Sequence, residues 1–141
     1  MTKLLNEKQI AEGAAIIRGG GTVVFRTETV YGLGANALDK GAVQKIFDAK
    51  GRPATNPLIV HFASLRDLFV TFPDIDPVTR CVLKRVKSAI TVILPRPGHI
   101  PKITTGGLDT VAGKLTFTLK IGGSIERGTY TVVAGKPEFR G

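Results

Sequence analysis

The chain has 141 residues, of which 43% are hydrophobic and 22% are charged, and its net charge is +9. This length suits one domain, and the composition excludes an intrinsically disordered chain. No apolar run is long enough to span a bilayer, and a single cysteine excludes an internal disulfide, so we expect a cytoplasmic protein without membrane contact.

Helices and strands are predicted to alternate in the first half of the chain, and strands to dominate the end. The predicted elements, in chain order, are a helix over 7–18, a strand over 22–26, a loop over 27–37, a helix over 40–49, a strand over 58–61, helices over 64–70 and 77–87, and strands over 91–94, 110–114, 117–121 and 129–133. This order predicts an α/β fold: a single domain with a mixed, twisted sheet and flanking helices.

The helix predicted over 77–87 has a valine at every fourth position. Val78, Val82 and Val86 are therefore expected to face the core. Cys81 lies in the same helix with no evident base beside it, and we expect it to be a packing residue rather than a nucleophile.

Basic residues recur between Pro77 and Leu108, where no acidic residue occurs. Such a stretch attracts polyanions, which are either nucleic acid, with tRNA or double-stranded RNA as candidates, or phosphorylated small molecules; a solvated basic surface without a partner fits the charge equally well. The candidate RNA-binding residues are Arg80, Lys84, Lys87, Arg96 and Lys102.

Hydroxyl groups and glycines follow the strand predicted over 22–26. Thr27, Thr29 and Tyr31 offer hydroxyls at alternate positions, and the two glycines after them allow the backbone to approach a ligand closely. Ligands bind beyond the carboxyl ends of strands in open α/β sheets, which favours a binding site here. An ordinary turn rich in glycine and threonine is the alternative.

A lysine and an arginine lie two residues apart after the helix predicted over 40–49. Lys50 supplies a point charge and Arg52 a planar fork, a combination that suits a polyphosphate or a carboxylate. The pair follows a helix, so it is not a Walker loop, and a solvated helix end is the alternative for Lys50. Asn56 can donate from its amide, whereas His61 ends an apolar strand, where a histidine is more often structural.

Three segments together resemble a known family: F-R-T-E-T-V-Y-G-L-G (25–34), A-K-G-R-P-A-T-N-P-L-I-V-H (49–61) and G-G-L-D-T-V-A (106–112). They are similar to the YrdC-like threonylcarbamoyl-adenylate synthases, over roughly residues 7–115. The resemblance implies that L-threonine, bicarbonate and ATP are converted to threonylcarbamoyl-AMP and pyrophosphate, for modification of a tRNA adenosine. ATP would be a substrate, with Mg²⁺ carried on the nucleotide and no metal held by the protein.

The resemblance also implies roles for individual residues. Lys50 and Arg52 would be the catalytic pair, in contact with the ATP phosphates and the carbonate-derived group. The remaining matches imply seven substrate-binding residues: Thr27, Thr29, Tyr31, Asn56, His61, Thr110 and Lys114.

The chain departs from the family pattern at several positions. Arg26 stands where the family has proline, and Lys114 stands where it has arginine. The S-A-N-x-S-G segment that helps to hold the nucleotide is absent, which indicates an internal deletion after about residue 115 within a domain spanning 1–141. A catalytically degenerate member that binds nucleotide or RNA is therefore the alternative to an enzyme, and a purely structural protein is a third possibility.

Overall fold

The computed structural model describes residues 2–26, 30–86, 90–115 and 131–133. Within these ranges the chain forms four α-helices and six strands, preceded by a 3-10 turn at Glu7–Gln9. The elements are α1 (Ile10–Arg18), β1 (Val23–Arg26), β2 (Tyr31–Ala35), α2 (Lys40–Lys50), β3 (Ile59–Phe62), α3 (Leu65–Thr71), α4 (Pro77–Arg85), β4 (Ile90–Pro95), β5 (Thr110–Leu115) and β6 (Thr131–Val133). None of these helices combines the length and the apolar character that crossing a bilayer demands.

The strands pair into two three-stranded sheets. One sheet has the order β1-β2-β6 and is antiparallel. The other has the order β3-β5-β4, in which β3 pairs with β5 in parallel and β4 pairs with β5 in the antiparallel sense. The α/β fold with mixed pairing and flanking helices is therefore confirmed, but the strands are divided between two sheets.

Polar side chains cap the helices where the sequence places them. Asp39 accepts hydrogen bonds from the backbone N–H groups of Gly41 and Ala42 at the start of α2. Ser64 accepts one from the N–H of Asp67 at the start of α3. These bonds satisfy donors that a helix leaves without partners in its first turn, which explains why both helices begin as predicted.

The loop predicted over 27–37 is wrong at its second half, because Tyr31–Ala35 forms β2 and pairs with β1. Gly32 lies opposite Phe25 in this pairing, and a Cβ added to Gly32 would lie 2.6 Å from the Phe25 ring. Gly32 therefore makes room for the aromatic side chain on the neighbouring strand, a role that the glycine-rich sequence of this segment does not reveal. The strand predicted over 117–121 and the deletion inferred after residue 115 lie outside the described residues.

The main hydrophobic core packs α3 and α4 against one face of the β3-β5-β4 sheet. Phe62, Leu68, Leu83 and Leu115 are almost completely buried there. The Phe62 ring meets the Phe72 ring edge to face, with 5.8 Å between the ring centroids. A second cluster packs the buried face of α2 against Ala35 of β2 and against Leu58.

The predicted orientation of α4 is wrong. Val78 is 73% exposed and Val82 is 49% exposed, whereas Leu83 is fully buried. Cys81 is also exposed, so it is not the packing residue that we expected. The helix turns Leu83 inward because leucine buries more apolar surface than valine. On the same helix, the Arg80 guanidinium stacks over the Phe69 ring at 4.3 Å from the centroid.

Candidate functional site

Lys50 and Arg52 are held together by the way in which α2 ends. Gly51 adopts a left-handed conformation (φ 57°, ψ 28°), which glycine tolerates without steric cost. The N–H of Gly51 donates to Asp48 O at 3.3 Å, and the N–H of Arg52 donates to Phe47 O at 3.1 Å. The chain thus reverses at Gly51 and keeps both basic residues at one helix end.

The ammonium group of Lys50 lies in an environment that disfavours its charge. Partial burial and then the neighbouring charge of Arg52 lower the pKa of Lys50 from 10.5 to about 8. A nearby anion would reverse the effect of Arg52 by neutralising both cations. A negatively charged ligand at this end of α2 would therefore stabilise the charged form of Lys50.

The Arg52 side chain reaches across the loop that follows it. Its Nη2 donates to the carbonyl oxygen of Pro57 at 3.4 Å. Its Nε is buried and has no hydrogen-bond partner among the described residues. A buried donor of this kind calls for an acceptor, which a bound anion or water can supply. Asn56 lies in the same loop with its side chain exposed and its N–H donating to Pro53 O at 3.0 Å.

His61 and Lys114 lie side by side on the parallel strands β3 and β5. Because side chains alternate along a strand, both point away from the face that carries Phe62 and Leu115 into the core. His61 is buried, whereas Lys114 is half-buried. Thr110 begins β5 on the same face as Lys114 and is exposed.

The predicted hydroxyl motif is described only in part. Tyr31 is the first residue of β2, pairs with Arg26 and is 68% exposed. Its ring is therefore accessible to a ligand. Thr27 and Thr29 lie outside the described residues.

A turn over residues 101–108, which includes the start of the G-G-L-D-T-V-A segment (106–112), connects the parts of this site. The sequence analysis assigned no role to Thr104. The Thr104 hydroxyl is buried and donates to Ala37 O at 2.9 Å, just before α2. The carbonyl oxygen of Thr104 accepts from the N–H of Leu58 at 3.0 Å, at the end of the Arg52 loop. The paired glycines at 106 and 107 were the available signal, since both have positive φ.

The candidate RNA-binding residues fall into two groups. Arg80 and Arg96 are half-buried and bond to the protein itself, because Arg80 donates to Pro73 O at 3.3 Å and Arg96 to Ile100 O at 2.7 Å. Both arginines are therefore partly engaged by contacts within the protein. Lys84 and Lys102 are exposed, and Lys87 lies outside the described residues.

No group of three or more potential metal-ligating side chains occurs within the part of the chain that the structure describes.

Comparison with known proteins identifies relatives of this chain. The chain is 49% identical over 112 residues to the threonylcarbamoyl-AMP synthase of Pyrococcus abyssi (strain GE5 / Orsay), and 47% identical over 109 residues to that of Bacillus subtilis (strain 168). These matches cover 79% and 76% of this chain but 33% and 32% of the relatives. The chain thus spans about a third of the length of these two curated relatives.

A solved structure supports the same relationship. The crystal structure of P. abyssi Sua5 complexed with L-threonine matches with a TM-score of 0.69 and 47% identity, over 82% of this chain and 34% of that one. Residues 15–118 match the family model Sua5/YciO/YrdC, described as Telomere recombination. The family expected from the three sequence segments is confirmed, and the chain belongs to the Sua5/YciO/YrdC family.

Proposed function

We propose that the chain is an L-threonylcarbamoyladenylate synthase-like enzyme. It would convert L-threonine, bicarbonate and ATP to threonylcarbamoyl-AMP and pyrophosphate, for modification of a tRNA adenosine. Relatives named threonylcarbamoyl-AMP synthase, and a structural relative complexed with L-threonine, support the reaction class.

The observation that carries the proposal is the pair at the end of α2. Lys50 has a pKa lowered to about 8, and Arg52 has a buried Nε with no partner among the described residues. Both features favour an anion at this position. A triphosphate satisfies the need, because it brings several negative oxygens to one lysine point charge and one arginine fork.

The reaction requires little from the protein beyond position and charge. The threonine amine attacks the bicarbonate carbon, a C–N bond forms and water leaves, which produces a carbamate. A carbamate oxygen then attacks the α-phosphorus of ATP, the bond to the β-phosphate oxygen breaks, and pyrophosphate departs. Lys50 and Arg52 would stabilise the negative charge that gathers on the phosphates in the second step. Mg²⁺ would enter on the nucleotide and neutralise part of the same charge.

The amino-acid end of the pocket is assigned by the family pattern. Hydroxyls and one amide would orient L-threonine, and the strand face that carries His61 and Lys114 would border it. Lysine at 114 would contact a carboxylate through a point charge, without the two parallel hydrogen bonds of arginine. The proposed substrate-binding residues are Thr27, Thr29, Tyr31, Asn56, His61, Thr110 and Lys114.

Pyrophosphate release tests the proposal directly. Turnover of ATP should require both L-threonine and bicarbonate, and omission of either should reduce it to background. Lys50→Ala should abolish the turnover, whereas Lys40→Ala, which removes an exposed lysine at the opposite end of α2, should not. ATP hydrolysis that is indifferent to threonine would contradict the proposal.

The same preparation decides the alternative of a degenerate nucleotide- or RNA-binding protein. Binding of labelled tRNA without any pyrophosphate release would favour it. Binding through the exposed Lys84 and Lys102 should weaken steeply with salt, with a log–log slope of about −0.7 to −0.9 for each neutralised phosphate. Affinity that does not respond to salt would exclude this basic surface as the RNA site.

Nucleotide affinity is expected to fall as the pH rises from 7 to 9. Because the pKa of Lys50 is lowered to about 8, its positive charge is mostly present at pH 7 and mostly lost at pH 9, while phosphate groups are already ionised. The loss should approach roughly tenfold over this interval, since the fraction of charged lysine changes by about that factor.

Calorimetry at several pH values measures this dependence. Lys50→Arg keeps the positive charge throughout and should bind with an almost constant affinity. A wild-type affinity that is equally constant would show that the Lys50 charge does not contact the nucleotide.

A further inference from the structure

Gly106 touches the Arg52 loop at a point where only glycine fits. Its φ is +62°, and a Cβ added there would lie 2.5 Å from Thr55 O and 2.9 Å from Pro57 N. Real Cβ atoms are essentially never this close to such atoms, so any side chain at 106 must displace the loop. The backbone of the 101–108 turn is therefore the surface against which residues 55–57 rest.

This contact leads directly to the guanidinium group. Pro57, whose nitrogen lies beside Gly106, is also the residue whose carbonyl oxygen accepts the hydrogen bond from Arg52 Nη2. A displacement of Pro57 would move that acceptor. The direction of the Arg52 fork thus depends on the close approach of Gly106.

Thr104 fixes the middle of the turn to two other segments of the chain. The Thr104 hydroxyl donates to Ala37 O at 2.9 Å and ties the turn to the segment before α2. The Leu58 N–H donates to Thr104 O at 3.0 Å and ties the turn to the segment before β3. The Thr105 hydroxyl donates to Leu108 O at 2.7 Å within the turn. Thr104 therefore joins the turn to the segments before α2 and before β3, which lie on either side of the cationic pair in the chain.

We propose that the 101–108 turn positions Arg52 for anion binding, with Gly106 and Thr104 as positioning residues. The inference rests on the proposed function, because it adds residues to the same nucleotide site. Neither residue needs to touch the nucleotide. Gly106 sets the place of Pro57, and Thr104 holds the turn against Ala37 and Leu58.

Two adjacent glycines offer a matched test. Gly106→Ala introduces a methyl group into the Thr55–Pro57 backbone, whereas Gly107→Ala introduces one where nothing lies within 4 Å. Both positions have positive φ (62° and 85°), so both variants carry the strain of a left-handed alanine. Gly106→Ala should lower ATP affinity about tenfold and Gly107→Ala less than about twofold, because only the first displaces a partner of a charge-assisted donor.

A double-mutant cycle separates positioning from general damage. If Gly106 acts through Arg52, Gly106→Ala should cause little further loss of ATP affinity in an Arg52→Ala background. Additive losses would overturn the proposal, and so would equal losses for the two glycine variants.

Thr104 provides a second route if Gly106→Ala does not fold. Thr104→Val deletes the hydroxyl that donates to Ala37, and Thr104→Ser keeps it. Valine should weaken ATP binding, and serine should restore most of it. Equal behaviour of the two variants would contradict a positioning role for this hydrogen bond.

The proposal can fail separately from the proposed function. Absence of ATP binding by the wild-type chain would refute the function. The NMR signals of the Arg52 guanidinium group and the exchange rate of the Leu58 amide would still decide the positioning claim. Both should change in Gly106→Ala and remain near wild type in Gly107→Ala, and unchanged signals in a folded Gly106→Ala would overturn it.

Discussion

Replacing Arg52 by alanine is expected to weaken ATP binding ten- to hundred-fold. The guanidinium combines a hydrogen bond to Pro57 O with a buried Nε that has no partner among the described residues. Loss of a charge-assisted hydrogen bond costs about 1.5–3 kcal/mol, which corresponds to roughly this range of affinity. Isothermal titration calorimetry with ATP measures the change.

Two further variants identify the cause of the loss. Arg66→Ala removes one positive charge from an exposed position on α3 and should bind ATP as the wild type does. Arg52→Lys keeps the charge but not the fork, and should lie between wild type and Arg52→Ala. If Arg52→Ala and Arg66→Ala bind ATP equally well, Arg52 has no direct contact with the nucleotide.

Replacing Leu83 by alanine is expected to produce the largest loss of stability considered for this chain. Leu83 is fully buried in the main core, in the same cluster as Phe62 and Leu115. A buried leucine replaced by alanine typically costs about 2–5 kcal/mol, through lost apolar burial and the cavity that remains. Urea denaturation followed by circular dichroism gives the change in the free energy of unfolding.

The adjacent Val82 supplies the control for this experiment. It is 49% exposed on the same helix, so Val82→Ala should change the free energy of unfolding by less than about 0.5 kcal/mol. A larger loss of unfolding free energy in Val82→Ala than in Leu83→Ala would mean that the valines of α4 face the core, as their spacing predicts.

Local signals in the sequence were sufficient for most helix boundaries and for the end of α2. Asp39 and Ser64 cap α2 and α3, and such caps are local signals because they depend on residues within one turn. The proximity of Lys50 and Arg52 also follows from local sequence, since a glycine between them ends the helix.

Long-range packing decided the features that the sequence did not predict. The spacing of the valines in α4 is a genuine helical repeat, but it does not reveal that Leu83 and the stacking of Arg80 on Phe69 orient the helix. Gly32 favours a loop when the sequence is read alone, but it lies in a strand, where its missing side chain leaves room for Phe25 opposite. Thr104 contributes to the site through a partner 67 residues away, which no local pattern indicates.

The position of the cationic pair also differs from the rule for open sheets. Ligands usually bind beyond the carboxyl ends of parallel strands. The Arg52 loop instead leads into the amino end of β3, and the 101–108 turn leads into the amino end of β5. The end of α2 and the 101–108 turn, rather than the strand ends, supply the support there.

The parallel pairing of β3 with β5 has a consequence for how ligand binding and folding are linked. Two helices and β4 lie between these strands in the chain, so the Arg52 loop and the 101–108 turn meet only after this long crossover has formed. A partly unfolded chain that has lost the pairing would therefore also have lost the proposed anion site. Ligand would bind the native state alone and stabilise it by mass action, by about 2.7 kcal/mol at a hundredfold excess over Kd. Such protection would extend to the amides of β3 and β5 together, as one cooperative unit.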